Sequence, residues 1–233
     1  MTSTDYVAGD PRTNRERMFA GDLHITDNPE TAGGRPTSES RTAMSAPSNG
    51  SQRRYDPGRR DRIVDACLDV IADVGVAGTS HRKVAEAADV PLGSMTYHFA
   101  GMHQLLHEAF SRFAMTASRN FDTRLASARG IAEAKRILVD LINGSEPGDQ
   151  RGLVLTHELY TIAARDPSYR DITNAWMARS RRTLERYFDP TTARMVDALF
   201  EGLALHRALD NAPQDRAIVI GALDRITAEG TKG

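Results

Sequence analysis

The chain has 233 residues, 40% apolar and 26% charged, the composition of a globular protein of one or two domains. Its 30 Lys+Arg against 31 Asp+Glu leave a net charge of −1, which excludes a uniformly basic coat but not a local basic patch. A lone cysteine, Cys67, excludes an intramolecular disulfide and a multi-cysteine zinc site. No apolar run nears the ~18–20 residues that cross a bilayer, and no apolar signal core opens the chain. The expectation is a soluble, cytoplasmic protein of a reducing compartment with no membrane partner.

In chain order, residues 1–57 read as a disordered N-terminal extension. Thr31 to Pro57 is rich in Gly, Pro, Ser, Thr and Arg, and buries too little surface to offset ordering entropy. Residues 13–25 can form one short amphipathic helix on Met18, Phe19 and Leu23. The run Asp10-Pro11-Arg12-Thr13-Asn14-Arg15-Glu16-Arg17-Met18-Phe19-Ala20-Gly21-Asp22-Leu23, continuing to Asp27-Asn28-Pro29-Glu30, resembles the N-terminus of maltose and galactoside O-acetyltransferases. The hexapeptide repeats of that family's β-helix do not follow. A sugar O-acetyltransferase fragment is therefore the alternative reading, and a fused fragment or a misplaced start codon is the plainer account.

From Arg59 onward the periodicity is helical, with about nine helices and no convincing strand, so the fold class is all-α. Ile63, Cys67, Val70, Ile71 and Val74 mark a first helix, ended by a turn at Gly75 and Gly78. Thr79 or Ser80 can cap a short second helix carrying Val84, Ala85 and Ala88 inward. Asp89-Val90-Pro91 breaks the pattern, and Pro91 suits the start of a third helix reaching about Phe99. A long fourth helix after Gly101 carries Leu105, Leu106, Ala109, Phe110 and Phe113. Gly130 precedes a fifth, and Pro147-Gly148 is a turn before a sixth. Asp166-Pro167 and Asp189-Pro190 read as caps opening the next two, the first holding Ile172, Trp176 and Tyr187. Pro213 starts the last.

The informative stretch is Thr79-Ser80-His81-Arg82-Lys83-Val84-Ala85-Glu86-Ala87-Ala88-Asp89-Val90-Pro91-Leu92-Gly93-Ser94-Met95-Thr96-Tyr97-His98-Phe99. A short helix, a tight turn and a second short helix form a helix–turn–helix able to enter a major groove. Val84, Val90 and Phe99 would make its small core. Ser80, Ser94, Thr96, Tyr97 and His98 would then face outward, as groups suited to phosphate and base edges. With the first-helix pattern and Leu105-Leu106, this stretch resembles the tetracycline-repressor (TetR/AcrR) family. The resemblance implies a DNA-binding domain at 58–102 and a helical ligand-binding and dimerisation domain at 103–233. It implies a homodimeric transcriptional regulator, usually a repressor and not an enzyme, that binds double-stranded DNA at a palindromic operator and is released by a small-molecule effector. By position it carries DNA contact to Thr79, Ser80, Arg82, Leu92, Ser94, Thr96, Tyr97 and His98. Tyr97 has core packing as its competing reading. Asp89 stands where the family usually has Gly, Thr96 where it often has Tyr, and Met102 where a phosphate-contacting Lys is common. Arg53, Arg54, Arg59, Arg60 and Arg62 make a basic arm, either a DNA contact made by Arg59 and Arg60 or a solvated linker.

Further candidates lie in the C-terminal part. Phe113, His157, Tyr160 and Trp176 are candidate pocket residues, with Glu158 beside them, and core packing is their alternative. His103 and His107 lie four apart on a helix, yet no third ligand is indicated, so no metal and no cofactor is expected. Cys67 reads as an inert core thiol. Val196, Leu199, Phe200 and Leu203 on one helix, and Ile218, Leu223 and Ile226 on the last, are expected to pair two chains through a four-helix bundle.

Overall fold

The computed structural model describes residues 56–144 and 149–228. The extension up to residue 55, with its 13–25 helix and Arg53 and Arg54, lies outside the described residues, as does the Pro147-Gly148 turn. The described residues are all-α, in nine α-helices and one 3-10 turn, with no strand among them. The helices are α1 (Arg59–Gly78), α2 (His81–Ala87), α3 (Gly93–His98), α4 (Met102–Ala126) and α5 (Ile131–Ile142). They continue with α6 (Asp149–Arg165), α7 (Arg170–Leu184), α8 (Pro190–Leu209) and α9 (Arg216–Thr227).

Side-chain caps set the starts of α2, α8 and α9 and of the 3-10 turn. Ser80, not Thr79, caps α2: its hydroxyl accepts the Lys83 N–H at 3.4 Å. Asp189 accepts the N–H groups of Thr191 and Thr192 at 2.9 and 3.2 Å, with Pro190 in the first helical position. Asp166 caps the 3-10 turn Pro167–Tyr169, which runs on into α7. That helix ends at Leu184, so Tyr187 falls beyond it. Pro213 does not start α9. Asp215 does, accepting the Ala217 N–H at 2.8 Å, because a side-chain acceptor satisfies a free helix donor and a proline cannot. Gly75, with φ of +71°, interrupts α1 three residues before its end.

The apolar faces assemble two cores. The first joins Ile63, Cys67 and Ile71 of α1, Val84 and Ala85 of α2, Met95 and Phe99 at α3, and Leu105, Ala109 and Phe110 of α4 to Leu155 and Leu159 of α6 and to Tyr169. It runs unbroken past residue 102. The second joins Leu125, Leu138, Ile142, Leu184, Phe188, Val196, Val219 and Leu223. Each large side chain taken fully from water contributes roughly 1.5–3 kcal/mol. Helix α4 contributes to both cores and is the rod between them.

Candidate DNA-binding surface and ligand pocket

The α2–turn–α3 unit has the geometry expected of a groove-reading element. Val84, Ala85, Met95 and Phe99 are buried beneath it, with Val90 packed against them. Met95 belongs to this small core, at the i, i+4 spacing from Phe99 that put both on one face. The turn passes through Asp89 at φ +50°, a left-handed conformation that aspartate tolerates better than most side chains. Tyr97 is 84% exposed and Leu92 55%, so neither is core. Ser80, Arg82 and Thr96 are exposed as well, and half-buried His98 meets the Tyr97 ring edge-on at 4.9 Å. The exposed groups thus lie together along the start of α2 and the outer side of α3.

Three expected contact residues are placed otherwise. Ser94 is buried beside Met95, because the inward arc of a six-residue helix takes in two successive positions. Arg60 grips Glu108 of α4 with both guanidinium nitrogens and lies 5.0 Å over the Phe99 ring, fastening α1 to α3 and α4. The Thr79 hydroxyl donates to the Gly75 carbonyl at 2.7 Å and closes the broken end of α1. Arg59 is half-buried at the first position of α1.

A pocket of about 480 Å³ opens among α4, α5, α6, α7 and α8. Phe113, His157 and Trp176 line it, with Phe200 and the carboxylate of Glu201. Phe113 meets Trp176 edge-on at 5.6 Å. Tyr160 stands behind, 6.1 Å from the Trp176 ring, and its hydroxyl donates to Glu201. Burial first, and then the charge of Asp197, raise the Glu201 carboxyl above its ordinary range, against the lowering by Tyr160 and His157. Asp197 itself is buried and paired with Arg181 at 3.0 Å. Phe200, assigned from sequence to the dimer face, therefore belongs to the pocket wall. Glu201 carried one available signal: with Asp197 four positions before it, it is one of two carboxylates inside the apolar run of α8.

Helix α6 touches both regions. Arg151 lines the pocket and pairs with Asp69 of α1 at 2.7 Å. Glu158, next to pocket residue His157, accepts the Val76 N–H of α1 at 2.9 Å. His103 and His107 of α4 face the 3-10 turn and α7 instead: His103 bonds Ser168 at 3.0 Å and His107 contacts Asp171 at 3.2 Å. Among the described residues no group of three or more His, Cys, Asp or Glu is placed to hold a metal. Burial pushes the Cys67 thiol up to about 12, which leaves it protonated and unreactive near neutral pH.

The expected dimer residues divide in two. Val196 and Leu223 are fully inside the second core, since α8 and α9 each have a protomer-facing side. Leu199, Leu203 and Ile226 are half-buried against that core, and Ile218 is 60% exposed together with Met195 and Ile220.

This arrangement has close parallels. Residues 63–109 match the family described as bacterial regulatory proteins, tetR family, and residues 129–229 match the tetracyclin repressor-like C-terminal domain. A transcriptional regulator of Streptomyces coelicolor A3(2) of known structure is 54% identical, over 73% of this chain and 99% of that one, with a TM-score of 0.70. The chain belongs to the TetR family. It is thus a transcriptional regulator with a helix–turn–helix domain, not an enzyme. Another similar structure is the multidrug binding protein EbrR complexed with ethidium, 36% identical over 74% of this chain and 99% of that one, TM-score 0.64. The HTH-type transcriptional regulator BetI 1 of Chromohalobacter salexigens is 25% identical over 68% of this chain and 82% of its own. No helix among the described residues is long and apolar enough to cross a membrane.

Proposed function

We propose that this TetR-family regulator is a cytoplasmic homodimeric repressor that holds a palindromic operator until a small molecule fills the α4–α8 pocket. The division runs as in the sequence reading, with 58–102 for DNA and 103–233 for ligand and partner. Ser80, Arg82, Leu92, Thr96, Tyr97 and His98 contact the operator, and the exposed side of α8 and α9 around Met195 and Ile218 meets the partner. The observation that carries the proposal is the double contact of α6. Arg151 and His157 face the ligand space while Arg151 and Glu158 hold α1. A ligand that prefers a shifted α6 thereby disfavours the DNA-bound position of α2 and α3.

The aromatic part of the pocket suits an aromatic cation, although Arg124, Arg151 and Arg207 line the cavity as well. Phe113, Trp176 and Phe200 supply ring faces, and Glu201 supplies one half-buried carboxylate. EbrR, with related sequence, has been crystallised with ethidium, proflavin and malachite green. Trp176 is the chain's single tryptophan, so its fluorescence reports on the pocket directly. The test has two steps. Malachite green is titrated against Trp176 emission in the free protein. Anisotropy is then measured on labelled DNA from upstream of the protein's own gene, across salt, with and without the dye. Saturable quenching, salt-sensitive nanomolar DNA binding and its loss on adding dye are expected. Equal, weak binding to upstream and scrambled DNA would defeat the repressor reading.

A further inference from the structure

Away from the pocket and the DNA-binding surface, one groove concentrates positive charge. A cavity of about 530 Å³ lies between α4 and α7, walled by Arg119 of α4, by Arg179 and Arg182 of α7, and by Arg186 just beyond the end of α7. Asp122 is the one carboxylate lining it. That carboxylate is already engaged, paired with Arg186 and accepting the Thr183 hydroxyl at 2.9 Å. Arg179 reaches only a neutral acceptor, the Ser118 hydroxyl, at 3.3 Å. Arg119 and Arg182 make no hydrogen bond or ion pair among the described residues. Among the described residues, three guanidinium groups are thus left without a carboxylate, in a chain whose net charge is −1.

Other arginines that bridge helices behave differently. Arg60 takes Glu108, Arg112 takes Asp61 and Asp65, Arg151 takes Asp69, and Arg216 takes Asp140. In the groove, positions 179, 182 and 186 recur on one face, and Arg119 faces them from α4. Ser118 and Thr183 form a buried polar floor. Guanidinium forks match phosphate oxygens in charge and geometry, and the cavity has the size of a small-ligand site. Operator DNA does not account for the cluster. Arg119 lies 17 positions after Met102, about 25 Å along α4 from the helix–turn–helix.

We propose that the α4–α7 groove is a second ligand site, taking a small molecule that bears two or more phosphate groups, held by Arg119, Arg179 and Arg182. It is separate from the aromatic pocket and stands whether or not that pocket binds cations. The phosphates can come from a free polyphosphate or from a nucleotide.

Calorimetry on the full chain at about 150 mM salt tests this, because screening at that strength removes diffuse attraction. The probes are tripolyphosphate, ATP and inorganic phosphate. Micromolar binding of the first two is expected, with inorganic phosphate at least about tenfold weaker. ATP binding more tightly than tripolyphosphate assigns the site to nucleotides, and equal affinities assign it to the phosphate chain alone. The double variant R119Q/R182Q, altered only at exposed side chains, should keep its melting temperature and lose about tenfold or more in affinity for both. Arg82→Ala, on the DNA-binding surface, should change neither. No heat from either polyphosphate up to about 1 mM, or undiminished affinity in R119Q/R182Q, overturns the proposal.

Discussion

Glu158 of α6 accepts the backbone N–H of Val76 in α1 at 2.9 Å, at the point where Gly75 turns that helix through φ +71°. The carboxylate stands in for the helical carbonyl that the break removes, so a side chain of the C-terminal domain completes the backbone of the helix–turn–helix domain. The short stretch that follows carries Thr79 and the Ser80 cap of α2. A displacement of α6 is therefore felt at the entry to the helix–turn–helix through a hydrogen bond as well as through the packing of Leu155 and Leu159.

Gly75→Ala tests this junction. A Cβ there would sit 2.9 Å from a Glu158 oxygen, and the positive φ would itself be strained. The substitution should lower stability by about 1–2 kcal/mol, read as a lower midpoint in chemical denaturation. An unchanged midpoint would mean that α1 continues straight through residue 75.

Asp89→Gly should act in the opposite sense. Asp89 is the one non-glycine residue with positive φ among those described, and glycine adopts that conformation without a steric penalty. A gain of about 0.5–1 kcal/mol is expected in the same denaturation experiment. A loss of stability would show that the aspartate side chain holds the turn by a contact.

Glu201 should make stability fall as pH rises. Burial, then Asp197, raise its carboxyl above the ordinary 4.5, so the folded chain holds that proton more tightly than the unfolded one. This stabilisation is complete below the unfolded value and is lost as pH climbs through the raised native value. Glu201→Gln cannot titrate. Its melting temperature should be close to that of the unsubstituted protein in acid and should exceed it at about pH 8. The same variant should bind malachite green more weakly. A constant difference in melting temperature across pH would remove Glu201 as the titrating group.

Tyr97→Ala should weaken operator binding by about tenfold while leaving the melting temperature unchanged. At 84% exposure the ring contributes little to the core, so any loss belongs to the DNA interface. A drop in melting temperature with intact DNA affinity would return Tyr97 to a packing role.

Much of this was legible from sequence because it rests on short-range chemistry. The Asp-Pro pairs at 166 and 189 placed two helix starts, since an acceptor followed by a fixed φ is sufficient by itself. Val84 and Phe99 of the helix–turn–helix core follow from helical spacing, whereas Met95, equally buried, is not in the sequence reading of that core. Pro213 misled because the true cap, Asp215, lies only two residues on. Spacing alone puts Val196 and Leu223 on the outward face, because α8 and α9 are apolar on more than one side. Periodicity identifies such a face without saying what covers it. Arg151 and the groove arginines carry no local signal. Their meaning comes from Asp69 and Ser118, far away in the sequence, brought near only by the packing of helices.

Helix α4 begins at Met102, directly behind the recognition helix, and runs for 25 residues through both cores. At 1.5 Å per residue it is a lever of about 37 Å. A tilt of about 5° pivoting at the distal end would carry the α3 end through about 3 Å. In the proposed two-fold dimer the opposing displacements add, so the separation of the two reading heads can change by about 6 Å against a half-site spacing of about 34 Å. A rearrangement at the pocket no larger than a side-chain rotation is thereby magnified into a misfit of almost two base-pair steps.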